Sequence, residues 1–329
     1  DLYRLLVGPY AEKVWKITPR EIHADIARVR VSAGGLDQMV KKLFLPEEPG
    51  KITAVKKFFY LPGGVESLVH KMREGIEKRG GKIRNVRRVA DIEPKGKSWR
   101  VMAENATTGE VETYDAGDVV STIPVGDLLS PLLDRKPNRG IAKSRGELRY
   151  ISNFLVCVVV NKPRVVEDQW LYFPERDTIF NRAYEPRNFH SSMATGGRSM
   201  MVFEITCHPG DRIDRASDAR LTAATLRGAQ RVGLINPTDV AETFVHRIPQ
   251  TYPLYDLDYR KRLSNVWRYL ESFPTLISAG RQGLFLHNNM DHSIHMGFRA
   301  ADRFLEGSEN PAAEFYSEVR KFQQFRIVD

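Results

Sequence analysis

Cysteine is scarce in this 329-residue chain, with Cys157 and Cys207 the only two. Two thiols cannot build a disulfide framework or a four-cysteine zinc site, so the fold must rest on its apolar core, as in a reducing compartment. The cytoplasm is the expected location. Long apolar runs are missing too: the longest, Phe154 to Val160, falls far short of the roughly 18 residues a spanning helix needs. A soluble chain is expected, though one able to touch a membrane surface. There is no G-X-Y period, sustained heptad, internal repeat or low-complexity tract, which excludes collagen, coiled coil and long disorder. Neither a G-x-S-x-G nucleophile turn nor a G-x-G-x-x-G dinucleotide loop occurs anywhere.

What is present has a globular balance, 42% apolar and 28% charged, with room for about two domains of roughly 150 residues. The net charge of +9 is spread over mixed-sign stretches instead of blocks, which points to anionic small molecules and away from nucleic acid. The chain opens at Asp1-Leu2-Tyr3 without Met or signal peptide and enters at once a helical apolar pattern of Leu2, Leu5, Leu6 and Val7. It reads like the middle of a protein.

Helix is expected over residues 1 to 45, with Pro19-Arg20-Glu21 opening a second helix and Gly34-Gly35 breaking it. From Phe58-Phe59-Tyr60-Leu61-Pro62-Gly63-Gly64 the chain leads into Val65, Leu68, Val69, Met72 and Ile76, an amphipathic helix stopped at Arg79-Gly80-Gly81. Strands are expected at Lys82 to Val86, Val89 to Ile92, Trp99 to Ala103 and Val111 to Tyr114, the last two joined by a turn with Asn105 and Gly109. Asp118 to Pro124 reads as a buried strand ended by proline. Further on, Phe154 to Val160, Trp170 to Phe173, Met201 to Ile205 and Glu242 to His246 are strand-like, with helices near Leu221 to Val232 and Asp258 to Tyr269. A buried strand returns at Thr275 to Gly280, and the helix after it carries Ile294, Phe298, Ala301 and Leu305 on one face, with Gly297 and Ala300 allowing close approach. The fold class is α/β with mixed α+β character.

The segment Gly280-Arg281 to Gly297 joins a buried strand, a glycine turn with an arginine, a polar loop and a helix start holding Asp291 and Ser293. Free N–H groups and the helix dipole there suit an anion, with Arg281 adding a planar charged fork. A helix merely capped by Asp291 would give the same local pattern. His287, His292 and His295 lack acids other than Asp291 close by, so no metal is expected. Gly75 to Lys82 imitates a phosphate loop but has Gly81 where lysine is required, so it reads as a helix end. Cys157, in an apolar strand, reads as a core residue.

Taken in order, Pro62-Gly63-Gly64, Gly80-Gly81, the Val89 to Ile92 strand, the Asp118 to Pro124 strand and the Gly280-Arg281 to Gly297 segment resemble the flavin-dependent amine oxidase superfamily. The likeness is to its protoporphyrinogen-oxidase-like and UDP-galactopyranose-mutase-like branch, through Pro9 to Trp15, Tyr252-Pro253-Leu254-Tyr255-Asp256 and Asn289 to Ile294. It covers roughly residues 1 to 306.

The resemblance implies a flavoprotein with FAD as cofactor. Its FAD/NAD(P)-binding Rossmann-like domain would be discontinuous, beside a substrate domain of mixed sheet and helices. The segments would be 1–57 (helical part of the substrate domain), 58–125 (middle FAD segment), 126–274 (substrate domain), 275–306 (final FAD segment) and 307–329 (tail). Carried over, Val89 meets the adenine end, Thr122 and Pro124 line the same side, and Gly280 and Arg281 lie near flavin and pyrophosphate. Asp291, His292, Ser293, Ile294 and Gly297 belong to the helix start that faces the ribityl chain and ring. In the middle domain Arg182, Glu204, Tyr252, Tyr255 and Asp256 are the candidate substrate residues, with Arg182 placed to hold an anionic group and the tyrosines to wall a cavity. Each of these has an ordinary strand-end or surface reading beside it, and no catalytic side chain is singled out.

The opening G-x-G-x-x-G lobe of the family is the departure. Its absence implies a fragment, an incomplete chain, or one half of a split protein whose other half supplies that lobe as a partner. Three activities stay open: an FAD-dependent oxidoreductase acting on a small organic, possibly anionic, substrate; a flavin-dependent sugar-nucleotide mutase; and a non-catalytic remnant or binding module.

Overall fold

A computed structural model describes residues 3–30, 60–194, 196–325 and 327. The expected break at Gly34-Gly35 and the start at Phe58-Phe59 lie outside them. After a π-helical turn at Tyr3–Val7 come α1 (Gly8–Trp15) and α2 (Asp25–Arg30). Pro19-Arg20-Glu21 does not open a helix: the Glu21 carboxylate accepts from the Thr18 amide at 2.9 Å and the Thr18 hydroxyl at 2.7 Å, closing a tight turn there instead. Helix α3 (Glu66–Lys78) is where the spacing predicts it, but none of its residues is buried, and Val69, Met72 and Ile76 stay 45–53% exposed. Lys82 to Val86 is not a strand. Val86 adopts a left-handed φ of 57°, which turns the chain before β1 (Arg87–Lys95) can begin.

Strands β2 (Ser98–Asn105), β3 (Val111–Ala116) and β4 (Val119–Ser121) follow, then α4 (Val125–Arg135), α5 (Arg139–Glu147) and β5 (Tyr150–Val160). The middle continues through β6 (Leu171–Tyr172), β7 (Arg182–Tyr184), β8 (Ser199–Cys207), α6 (Asp218–Arg231) and β9 (Val240–Pro253). Last come α7 (Tyr259–Leu270), β10 (Leu276–Ser278), a single helical turn at Gly280–Gly283 and α8 (Met290–Leu305). Residues 307–329, expected as a tail, carry α9 (Pro311–Ser317) and α10 (Val319–Phe322), which bury Phe315, Tyr316, Val319 and Phe322. Among the described residues, no helix is long and apolar enough to cross a membrane.

The chain divides into two compact units. The first comprises Asp1–Glu21, Phe59–Ile83 and Tyr150–Tyr252, and the second Ile22–Phe58, Arg84–Arg149 and Pro253–Asp329. The expected segment 58–125 is thus shared between them. In the first unit, β5 and β8 pair antiparallel at the centre of a five-stranded sheet ordered β6-β7-β8-β5-β9. Phe154, Val156 and Val158 of β5 and Met201, Phe203 and Ile205 of β8 point to one face and form the core with Phe180 and Leu221. The period of two sends Asn153, Arg182, Tyr184 and Glu204 to the other face.

The second unit contains the antiparallel meander β1-β2-β3 and a separate pair in which β4 and β10 run parallel. Opposite charges face each other across the meander, Arg88 with Glu104 and Arg100 with Asp115, while Trp99 is buried and donates its indole N–H to Thr275 Oγ1 at 2.9 Å. The α8 stripe does not face the core: Phe298 and Leu305 are 66% and 84% exposed, and the helix buries Met296 and Ala300 instead. Asp25 ties α2 to the start of α7, its carboxylate accepting from the Tyr259 hydroxyl and the Arg260 guanidinium.

Two outcomes are expected from this packing. A Cβ on Gly283 would lie 2.8 Å from Ser278 Oγ and 3.1 Å from the Ser121 carbonyl oxygen, so Gly283→Ala should cost about 1–3 kcal/mol in chemical denaturation; a loss within about 0.5 kcal/mol would mean that β4 and the turn give way freely. Burial would raise the Asp25 carboxyl, but the Arg260 and Tyr259 hydrogen bonds outweigh it and hold it below the usual range. Its contribution is therefore present above the unfolded value near about 4 and lost as pH falls through the folded one. Asp25→Asn should cost about 1.5–3 kcal/mol at neutral pH and progressively less in acid. A pH-independent penalty would contradict the charged role.

Candidate functional site

Parallel strands β4 and β10 end side by side, and the Ala279 amide extends the pairing to the Ser121 carbonyl at 2.8 Å. In open parallel sheets, ligands bind beyond such carboxyl ends. Here the two exits are Thr122 to Pro124, leading into α4, and Gly280 to Asn289, leading into α8. Gly280 has a φ of +78° and nothing within 4 Å of where a Cβ would stand. Gly283 is the opposite case, pressed against both strands, so the turn has a tight side and an open side.

The loop between is over-determined. Phe285, fully buried, holds a left-handed φ of 54°, a conformation costing about 1–3 kcal/mol in a bulky residue and characteristic of functional loops. Ser278 Oγ donates to the Gly283 carbonyl at 2.8 Å, and the Leu286 amide to the Arg281 carbonyl at 3.0 Å. The Arg281 guanidinium donates to the Asn288 carbonyl at 2.6 Å, so the expected charged fork ties the loop to itself. Tyr255, its phenol pushed up by burial, accepts the His287 amide at 3.0 Å and stacks on Tyr259 with centroids 3.9 Å apart. His287 Nε2 lies 2.7 Å from the Pro253 carbonyl.

Helix α8 starts at a capping box: the Asn289 side chain accepts the His292 amide, and His292 Nδ1 accepts the Asn289 amide at 3.0 Å. The imidazole also stacks on Phe325 at 4.5 Å. His292 is thereby a cap that shapes the helix start. The Met290 and Asp291 amides have no acceptor within the helix, by helix geometry, and with the dipole they leave a positive, donor-lined end. Asp291 is exposed, and Ser293 and Ile294 are half-buried. Gly297 is exposed as well, with open space on its Cα side where a methyl group would stand.

These residues fit one end of a flavin nucleotide: backbone donors, an open glycine, and Thr122 and Pro124 at the neighbouring strand end. A glycine-rich turn to wrap a pyrophosphate is not among them. Val89 sits on β1, 45% exposed beside a bulge, in a sheet separate from the β4–β10 pair.

The candidate substrate residues fall in both units. In the first, Arg182 and Glu204 pair directly across β7 and β8, with Nη2 to Oε1 at 2.8 Å, and Asn153 Nδ2 donates to the other Glu204 oxygen at 3.3 Å. Burial works against the Arg182 charge, yet Glu204 keeps the guanidinium firmly protonated. Burial pushes the neighbouring Tyr10 phenol up to about 12 and also raises Tyr184. Tyr252 lies in the same field, its ring edge-on to Trp15 at 6.3 Å. With the ion pair closed, the cluster's remaining polar atoms, Arg182 Nε and Asn153 Oδ1, are buried without a hydrogen-bond partner among the described residues. In the second unit, Asp256 is held by Arg262 and Arg149 at the start of α7.

Sequence reasoning missed Asn153, Tyr10 and Tyr184. Asn153 and Tyr184 carried a signal, a polar group on the side of β5 and β7 opposite the apolar core, whereas Tyr10, on helix α1, carried none. Arg182→Ala should destabilise by about 3–5 kcal/mol in urea denaturation because it strands a buried carboxylate, whereas Arg182→Met with Glu204→Leu should recover most of the loss. A single variant costing under about 1 kcal/mol would mean that the pair is solvated.

Comparison with known proteins bears on both sites. Residues 31–305 match the family model described as flavin containing amine oxidoreductase. Among solved structures, a reduced UDP-galactopyranose mutase is 19% identical, with a TM-score of 0.74 over 98% of this chain and 69% of its own. A protein assigned as protoporphyrinogen oxidase from Exiguobacterium sp. 255-15 is 18% identical, with a TM-score of 0.57 over 80% of this chain and 53% of its own. A triple mutant of putrescine oxidase is 15% identical, with a TM-score of 0.51 over 75% and 54%. The chain therefore spans about half the length of these two oxidases. At such identities the likeness is one of fold, a mixed α/β architecture shared with FAD-binding amine oxidases. With the family model matching most of its length, the chain belongs to the flavin containing amine oxidoreductases.

Proposed function

We propose that the protein acts as an FAD-dependent oxidoreductase of the protoporphyrinogen oxidase and amine oxidase type, dehydrogenating a small organic substrate. The observation that carries this reading is the β10–Gly280–α8 loop, strained at Phe285 and open at Gly280, beside a donor-lined helix start. Bound there, FAD would supply a two-electron acceptor for oxidation of a C–N or C–C bond. The chain's own part is positional. The Met290 and Asp291 amides would hold an electron-rich edge of the cofactor, with Thr122, Pro124, Ser293 and Ile294 along its length. Cys157 and Cys207, buried free thiols pushed up by burial to about 11 and about 12, fit a reducing, cytoplasmic setting.

The G-x-G-x-x-G strand, turn and helix would come from another polypeptide segment, within the same protein or from a partner. Supporting this, β4 has no second partner strand among the described residues, Val120 is 44% exposed, and the α8 stripe of Phe298 and Leu305 is uncovered. A second reading, chemistry of the UDP-galactopyranose mutase kind on a sugar nucleotide, is favoured by one observation: the mutase fold spans 98% of the chain.

The test is flavin content. The complete protein, or this chain with the lobe supplied, should be yellow after desalting, and Gly280→Val should lose most of the flavin. Reduction of an electron acceptor by substrate would support the oxidase reading, and sugar-ring interconversion requiring reduced flavin the mutase. A protein that stays colourless with the lobe and FAD both present is a non-catalytic remnant.

A further inference from the structure

We propose that β9 is the edge on which two copies of this chain pair, strand to strand, into a two-fold dimer. The contact lies within the first unit and does not rest on the flavin reading. β9 closes one end of the five-stranded sheet, with only β5 beside it among the described residues. Where the two strands meet, the Asn161 amide donates to the Asp239 carbonyl at 2.8 Å. Backbone groups alternate sides along a strand, so Val240, Glu242, Phe244, His246 and Ile248 turn their N–H and C=O groups away from β5.

This free stretch is bounded and symmetrical. Pro237 precedes it, and Pro249 with the left-handed Gln250 (φ 50°) ends it, which leaves Val240 to Ile248 with Phe244 at the midpoint. No lysine or proline, residues that commonly guard an exposed edge, falls within it. A two-fold axis through Phe244, perpendicular to the sheet, sets Phe244 against Phe244, Glu242 against His246 on both sides, and Val240 against Ile248. Phe244 is 46% exposed, and Glu242 and His246 beside it are exposed and make no ion pair among the described residues. Self-pairing covers the ring and gives each carboxylate an imidazole opposite it, the kinds of cross-strand pair that stabilise sheets. Moving the axis two residues either way sets Glu242 on Glu242 or His246 on His246, so charge selects the register. The other face of the strand is already committed: Val245 packs on the core, and Arg247 pairs with Asp218 at 2.6 Å.

Sedimentation across micromolar concentrations tests the proposal, because a single strand-to-strand contact is narrow and gives a weak dimer. The protein should pass from monomer to dimer as concentration rises. His246→Glu sets acid against acid on both sides of the axis and should raise the dimer Kd at least about tenfold. Adding Glu242→His to that variant should restore it. The two Phe244 Cα atoms of such a pair lie about 5.5 Å apart, within disulfide reach, so Phe244→Cys should cross-link on mild oxidation with diamide. Glu242→Cys, whose two copies lie about 14 Å apart, should not. Cys157 and Cys207 are buried and give no background, and circular dichroism of each variant should match wild type. A monomer at every concentration overturns the proposal and leaves the edge to a strand of another protein. So does a dimer indifferent to His246→Glu, or equal cross-linking of the two cysteine variants.

Discussion

The close approach of the Gly280–Gly283 turn to the ends of β4 and β10 is the constraint on which the second unit depends. Two parallel strands make a marginal sheet by themselves, and this pair is held by what is packed on its ends and edges. The Tyr316 hydroxyl accepts the Ser278 amide at 2.9 Å, on the edge of β10 away from β4. Gly283 lets backbone lie directly against Ser278 and Ser121. Once the turn is seated, the loop has few ways to reach α8, and the strained Phe285 and the Arg281–Asn288 tie follow from the short span. The positive helix start is thereby fixed at the carboxyl end of the strands, where an electron-rich ligand gains most from it.

The first unit solves a different problem. Its central strands are buried on both faces, and one of those faces is polar. Arg182 and Glu204 can exist there because each neutralises the other and Asn153 supplies a further hydrogen bond. Such pairs contribute little net stability, since desolvation cancels most of the attraction. Arg182 Nε and Asn153 Oδ1 stay buried beside the pair without a hydrogen-bond partner among the described residues.

Much of this was legible in the sequence where local physics decides. The Gly80-Gly81 stop of α3, the Asn105–Gly109 turn between β2 and β3, and the β10–turn–α8 segment follow from glycine, capping residues and period. Burial was less legible. The stripes on α3 and α8 look like core faces, yet they are exposed, because a period reports that a face is apolar and not what lies against it. The turn at Thr18–Glu21 escaped because proline followed by acid suits a helix start and a closed turn equally. Arg281 was readable as a cationic group at a glycine turn, but its hydrogen bond to Asn288 depends on how the loop folds back. The pairing of Arg182 with Glu204 depends on strand register, which no local pattern carries.

Flavin held by the backbone between β10 and α8 would shield the amides of that loop from exchange. Hydrogen exchange of the backbone amides, followed with and without FAD in the complete protein, tests it most directly. Added protection is expected over 276–297 and around Thr122, with little change in β5 and β8. Protection confined to other segments, with 276–297 unaltered, would contradict it.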